Sequence, residues 1–175
     1  MITPWKRLKT EEVFHKYSLR VERWDFLLPD GREEDFYIRK SPDGACVLAI
    51  TTDQKVITVK QFRPGPLEIF YELPGGMVEG GKSPEVAATA ELLEESGYEG
   101  KVTYGGSYFE DAYTARKRHW CVVTDCRKVA EQKLEPNEFA EVVLWDIPDF
   151  IQLARSGQMT DAAAAMLALD HLKLL

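Results

Sequence analysis

The chain has 175 residues, of which 45% are hydrophobic and 11% aromatic. This composition suits one packed domain, with at most a small appendage, and argues against disorder. The formal net charge is −7, from 29 acidic and 22 basic side chains, which disfavours nucleic-acid binding because that function needs basic patches. No apolar run is long enough to span a membrane, and the charged start lacks the apolar core of a signal peptide.

The first predicted elements are strands. Residues 19–28 are rich in β-branched and aromatic side chains, a PDG turn signal follows, and residues 34–40 resume the extended pattern. Two apolar stretches at 45–52 and 55–62 then predict strands that are buried in a central sheet.

The chain changes near residue 44 from a β-rich leader to a mixed α/β body. We therefore expect residues 1–44 to form an N-terminal β region and residues 45–175 to form the main domain. Further strands are predicted at 101–109, 118–126 and 138–147, and two closing helices are predicted at 147–157 and 159–175. Thr160 or Asp161 could cap the last helix.

The three cysteines indicate a reducing environment. Cys46, Cys121 and Cys126 form no CxxC pair, and their spacing matches no zinc pattern. We expect them to be free thiols and the protein to be cytoplasmic.

One helix is predicted with both of its ends. Ser83 is a candidate N-cap, Pro84 suits the first helical position, and Gly97 suits the C-cap, where a left-handed backbone favours glycine. Residues 84–96 between these signals are good helix formers.

This helix carries a cluster of acidic residues. Glu91, Glu94 and Glu95 share one face at 100° per residue, and Val86, Ala90 and Leu93 form a separate apolar stripe that we expect to pack on the sheet. Clustered carboxylates suit a hard divalent cation, which prefers oxygen ligands. A solvated acidic face would give the same charge pattern, so spacing of charge alone leaves both interpretations open.

The segment from residue 75 to residue 100, GGMVEGGKSPEVAATAELLEESGYEG, resembles the Nudix box, G-x5-E-x7-R-E-U-x-E-E-x-G-U, where U is bulky and apolar. Seven of its nine fixed positions are matched, by Gly76, Glu91, Leu92, Glu94, Glu95, Gly97 and Tyr98. The resemblance implies an α/β fold, the Nudix α/β/α sandwich with a mixed central sheet. It also implies Mg²⁺ or Mn²⁺ held by Glu91, Glu94, Glu95 and the Gly75 carbonyl, with Glu94 and Glu95 as catalytic residues.

Two positions depart from the box. Lys82 stands where the family has a glutamate, and Ala90 stands where it has an arginine that helps to hold a metal-binding glutamate. Without that arginine the carboxylates repel one another more strongly. The departures leave a second interpretation, in which the domain is a catalytically weak or inactive module that binds nucleotides.

Beyond the box, the chain resembles the ADP-ribose pyrophosphatase branch of the family. The stretches RVERWDFLLPDGREEDFYIRK, VITVKQFRPGP, YELPGG and ARSGQMTDAAAAMLAL carry this resemblance. It implies hydrolysis of the pyrophosphate bond of a nucleoside diphosphate linked to another moiety, with ADP-ribose or a nucleotide sugar as substrate. It also implies a homodimer with exchanged N-terminal regions, and no nucleic-acid or membrane partner.

The same resemblance assigns the remaining candidate residues. Glu138 is the first choice for a late-loop general base, Glu135 the second and Glu141 the third. Arg63 matches an arginine that contacts substrate phosphates, as a planar guanidinium can.

Two aromatic residues complete the candidate site. Trp24 lies in the leader, where relatives stack a base. Tyr113 stands where ADP-ribose hydrolases often carry a proline, and a tyrosine there is similar to the dinucleoside polyphosphate hydrolases. The substrate within the class stays open at this point.

Overall fold

A computed structural model describes residues 2–175. Over this range the elements follow in the order β1 (Lys6–Lys16), β2 (Leu19–Leu27), β3 (Glu33–Arg39), β4 (Gly44–Thr51), β5 (Lys55–Arg63), β6 (Glu68–Glu72), β7 (Gly75–Met77), α1 (Pro84–Ser96), β8 (Tyr98–Phe109), β9 (Lys117–Lys128), β10 (Ala140–Asp146), α2 (Ile147–Arg155) and α3 (Ala162–His171). Across residues 2–175, none of these helices has the length and apolar content needed to cross a membrane.

The chain divides into two compact units. The first runs up to Asp43 and includes Tyr108–Lys117, and the second comprises Gly44–Ser107 and Arg118–Leu175. The assignment of residues 1–44 to dimerisation stays a prediction.

The first unit is a three-stranded antiparallel sheet in the order β1-β2-β3. One face carries an aromatic cluster in which the Trp5 and Phe36 ring centroids lie 5.4 Å apart and those of Phe26 and Phe36 5.9 Å apart. The sequence did not predict β1, whose residues are all exposed. An edge strand without a buried face has no alternation of apolar and polar residues to reveal it.

The second unit contains a seven-stranded sheet in the order β10-β5-β4-β9-β8, with β6 paired to β5 and β7 paired to β4. β4 runs parallel to β9 and antiparallel to β5, so the sheet is mixed, as predicted. Every residue of β4 is buried because α1 and α3 both pack against this strand. The predicted α/β class, with a mixed central sheet and a small antiparallel N-terminal β region, is confirmed.

The ends of α1 match the prediction. The Ser83 Oγ accepts a hydrogen bond from the Val86 N–H at 3.3 Å, Pro84 begins the helix, and Gly97 has φ 77° at the C-cap. The three cysteines are free, as predicted, and all three are buried.

The predicted packing face of α1 is wrong. Val86 is 52% exposed and Leu93 36% exposed, whereas Ala87, Ala88 and Leu92 are the residues that enter the core. Two adjacent alanines allow the helix backbone to approach β4 closely, and the larger Val86 side chain stays outside.

The predicted cap of α3 is also corrected. Asp161 occupies the N-cap position, but its Oδ1 accepts from the Arg118 guanidinium instead of capping the helix. Asp161 is 6% exposed, so its carboxylate needs a cationic partner more than the helix needs a cap.

Two glycines with similar backbone angles should differ in their tolerance of a methyl group. A Cβ at Gly97 would meet the Ala130 carbonyl oxygen at 2.0 Å, whereas a Cβ at Gly157, with φ 83°, would meet open space among the described residues. We expect Gly97→Ala to lower the free energy of unfolding by about 3 kcal/mol and Gly157→Ala by about 1 kcal/mol. Urea unfolding of both variants checks this, and equal losses would contradict it.

Candidate active site

A cavity of about 600 Å³ lies in the second unit, beside α1 and residues 73–76, which lead from β6 into β7 and which we call the glycine turn. Its lining brings together carboxyl groups from three segments. They are Glu79 of the loop before α1, Glu91, Glu94 and Glu95 of α1, and Glu135 and Glu138 of the loop before β10. Arg63, Gly75 and Gly76 complete the part of the wall that the sequence predicted.

Glu95 is the most deeply buried of the α1 glutamates, at 7% exposure. Its Oε2 accepts a hydrogen bond from the Gly75 N–H at 2.9 Å, which ties the helix to the glycine turn. Burial raises the pKa of the Glu95 carboxyl to about 8, although the hydrogen bond from Gly75 acts against the shift. The Glu91 and Glu138 charges raise this pKa further.

Glu91 lies against the same turn. A Cβ at Gly76 would meet the Glu91 Oε1 at 2.0 Å, so only glycine lets this carboxylate occupy its position. Burial raises the pKa of Glu91, and repulsion from Glu94 and Glu138 adds to the effect. The ammonium of Lys82, the residue that departs from the box, acts in the opposite direction.

The loop that carries Glu135 and Glu138 is closed on itself. The Glu138 Oε2 accepts from the Glu135 N–H at 2.9 Å, and the Glu138 N–H donates to the Glu135 carbonyl at 2.9 Å. Both residues are exposed and line the cavity, and Glu94 is likewise exposed and lines it. Glu141, the third choice for the general base, lies on β10 and faces Lys60 at 4.0 Å.

Within residues 2–175, no group of three or more His, Cys, Asp or Glu side chains is close enough to hold a metal ion in its present arrangement. The donor chemistry nevertheless fits a divalent cation, because Glu91, Glu94 and Glu95 place carboxyl oxygens on one cavity and hard cations prefer oxygen ligands. Metal binding would require the α1 side chains to converge from these positions.

Arg63 has a partner that the sequence analysis missed. Its Nε donates to the Glu72 Oε1 at 2.7 Å, its Nη2 contacts the other oxygen, and the Gln61 Nε2 also donates to this carboxylate at 3.1 Å. The hydrogen bond with Glu72 raises the pKa of Arg63. The signal in the sequence was a lone glutamate in the apolar stretch YELP, directly before the glycine turn.

The two aromatic candidates lie in the first unit. The Trp24 Nε1 donates to the Glu22 Oε2 at 2.7 Å, and the Arg7 guanidinium carbon lies 4.4 Å from the centre of its ring. The Tyr113 ring stacks on Phe36 at a centroid distance of 6.4 Å. Their contact with substrate stays a prediction.

Comparison with known proteins fixes the family. The family model described as NUDIX domain matches residues 40–167. The chain belongs to the NUDIX domain family. The predicted family and the predicted enzyme class, a Nudix pyrophosphohydrolase, are confirmed.

Two relatives of this chain are pyrophosphatases. An ADP-ribose pyrophosphatase of Bacillus subtilis (strain 168) is 34% identical over 173 residues, covering 97% of this chain and 92% of the relative. An ADP-sugar pyrophosphatase of Mus musculus is 34% identical over 113 residues, covering 57% of this chain and 52% of the relative.

A solved structure described as an ADP compounds hydrolase has the same fold. It superimposes with a TM-score of 0.83 at 21% identity, covering 99% of this chain and 96% of that one.

The raised pKa of Glu95 predicts a pH-dependent stability. The unfolded chain releases this proton near the ordinary pKa of 4.5, whereas the folded chain holds it to about pH 8. Between these values the folded state binds more protons, so the free energy of unfolding falls as the pH rises. We expect Glu95→Gln to stabilise the metal-free protein at pH 9 by about 2 kcal/mol, with a smaller effect at pH 5.

Urea unfolding in the presence of a chelator measures this difference across the pH range. Glu99→Gln is the control, because Glu99 is an exposed glutamate outside the cavity. A pH dependence that is the same in wild type and Glu95→Gln would contradict the prediction.

Proposed function

We propose that this chain is a divalent-metal-dependent hydrolase that cleaves the pyrophosphate bond of a nucleoside diphosphate linked to another moiety. ADP-ribose or another nucleotide sugar is the substrate class that we favour. The observation that carries the proposal is the cavity in which α1 carboxylates, two of them largely shielded from water, meet the glutamates of a second loop and an arginine. The names of the Bacillus subtilis and Mus musculus relatives support the substrate class.

Glu91, Glu94 and Glu95, with the Gly75 carbonyl, are the groups that we assign to Mg²⁺ or Mn²⁺. Bound there, divalent cations would neutralise the diphosphate and make an attacking water more acidic. The Gly75 N–H holds Glu95 in place, which supports its inclusion in the set. Glu94 and Glu95 are thereby catalytic as well as metal-binding in this proposal.

The protein groups outside the metal set have separate roles. Glu138 takes the proton of the attacking water or orients that water. Arg63 donates hydrogen bonds to a phosphate oxygen as charge develops on it. Trp24 and Tyr113 are assigned to the base or the sugar.

We also assign the protein to a homodimer with exchanged N-terminal regions. Large apolar side chains exposed on the first unit, among them Trp5 at 47%, Phe14 at 47% and Tyr37 at 58%, support a partner surface there. A cytoplasmic location is supported by the three buried thiols, which suit a reducing compartment.

A second candidate function is a nucleotide-binding or regulatory module with weak or absent hydrolysis. Lys82 and Ala90 favour it, as does the separation of the carboxylates across the described residues. The two functions are distinguished by incubating the protein and Mg²⁺ with ADP-ribose, ADP-sugars, GDP-mannose and diadenosine polyphosphates, followed by phosphatase and a phosphate assay. Binding of nucleotides without turnover of any compound would establish the module and exclude the enzyme.

The general base is tested with two variants of the same loop. We expect Glu138→Gln to lower kcat about 100-fold or more, because the amide cannot accept the proton, and Glu135→Gln to lower it less than about fivefold. Steady-state kinetics at saturating Mg²⁺ measures both. The reverse order would transfer the role to Glu135, and equal small effects would remove this loop from the chemistry.

The departures from the Nudix box predict a gain of function. We expect Lys82→Glu with Ala90→Arg to bind Mg²⁺ about fivefold more tightly, since a carboxylate joins the set and a guanidinium reduces the repulsion within α1. Isothermal calorimetry checks the affinity. Lys101→Glu with Ala163→Arg makes the same charge changes at exposed positions and should leave it unchanged. Unchanged or weaker affinity in the first pair would refute this explanation of the departures.

A further inference from the structure

Glu72 is a buried carboxylate that none of the roles above uses. It is 4% exposed at the end of β6, and the Arg63 guanidinium and the Gln61 amide supply its hydrogen bonds. A carboxylate this deep requires a cation beside it, because leaving it unpaired would be costly. The ion pair therefore stabilises the buried Glu72 carboxylate and also restricts the orientation of the Arg63 side chain.

The two ends of this ion pair lie in different environments. The Arg63 side chain is 42% exposed and lines the carboxylate cavity, whereas the Glu72 side chain is 6% exposed. A guanidinium has five N–H groups in a fixed plane, and Glu72 accepts two of them. Within residues 2–175 the other three N–H groups have no hydrogen-bond partner, so they can donate to a ligand in the cavity.

The backbone around Glu72 is rigidly held. Glu72 pairs with Val59 of β5, Leu73 is 2% exposed, and the Pro74 carbonyl accepts from the Val47 N–H at 2.9 Å. The next residue, Gly75, supplies the N–H that holds Glu95. One short segment thus fixes both the guanidinium and the deepest α1 carboxylate.

We infer that Glu72 is a positioning residue, which fixes the Arg63 guanidinium at the cavity wall so that its remaining N–H groups bind the diphosphate of the substrate. This inference rests on the proposed function and adds to it a residue that touches neither metal nor substrate. Pairing with Glu72 offsets part of the charge of Arg63. The contribution of Glu72 to substrate binding is therefore to orient the guanidinium and not to strengthen its charge. A side chain with a free charge and no fixed orientation would bind a phosphate less selectively.

The experiment compares Glu72→Gln, Arg63→Ala and the double variant. We expect each single change to lower kcat/KM for ADP-ribose with Mg²⁺ about tenfold or more, and the double variant to match Arg63→Ala within about twofold, because Glu72 acts through Arg63. Multiplication of the two losses in the double variant would overturn the inference. So would tighter substrate binding by Glu72→Gln, the result expected if Glu72 merely weakened the charge of Arg63.

Arg63→Lys keeps the inference testable if Glu72→Gln fails to fold. It retains the charge at a half-exposed position but lacks the planar fork, and we expect it to lose as much kcat/KM as Arg63→Ala. Full activity of Arg63→Lys would overturn the inference. Asp146→Asn is the control, since it breaks the Lys55–Asp146 ion pair, 2.6 Å long, at the opposite end of β5.

Calorimetric binding of ADP with Mg²⁺ separates this inference from the proposed function. If the wild-type protein turned over no compound, the proposed enzymatic function would be wrong. The affinity for ADP would still show whether Arg63 binds a diphosphate. We expect Glu72→Gln to weaken ADP binding about fivefold or more while Asp146→Asn leaves it unchanged. Equal ADP affinities in wild type and Glu72→Gln would overturn the positioning role.

Discussion

The hydrogen bond between the Gly75 N–H and the Glu95 carboxylate is the interaction on which the candidate site depends. It joins the segment after β6 to the C-terminal end of α1 and directs an acidic side chain into the protein rather than into water. The small residues that follow Pro74 make this possible, because a Cβ at Gly75 would meet the Ala45 carbonyl oxygen at 2.5 Å. The arrangement gathers acidic side chains beside one cavity, so an anionic ligand could bind there only with cations to offset their charge.

The second unit also contains two ion pairs with buried carboxylates. Arg63 pairs with Glu72, and Arg118 pairs with Asp161, whose carboxylates are both buried. The first pair connects β5 to β6, and the second connects β9 to the start of α3. Buried ion pairs add little net stability, but breaking one side is expensive. Their contribution here is to fix β5 relative to β6 and β9 relative to the start of α3.

The sequence predicted most of this fold where the signal was local. The strands at β4 and β5 follow from continuous apolar runs, and the limits of α1 follow from Ser83 and Gly97. The charged edge strand β1 was missed, and the packing face of α1 was wrong because close approach of a helix to a sheet selects for small residues rather than for a broad apolar stripe. The box spacing also identified Glu91, Glu94 and Glu95, which the structure places beside one cavity.

The partners of charged residues could not be predicted in the same way. Arg118 and Asp161 are 43 positions apart, and neither position has a local pattern that points to the other. Arg63 and Glu72 are only nine positions apart, but their pairing depends on the antiparallel register of β5 and β6. Register is a property of the folded sheet, so sequence reasoning identified the arginine and missed the carboxylate that orients it.

The three buried cysteines have a practical consequence for work on this chain. Burial raises the pKa of the Cys46 thiol to about 12 and those of Cys121 and Cys126 to about 11, so thiolate is scarce while the protein is folded. Alkylating reagents attack the thiolate, and they reach it only when the sheet opens. The rate of cysteine alkylation therefore reports the opening of β4 and β9 without any engineered label.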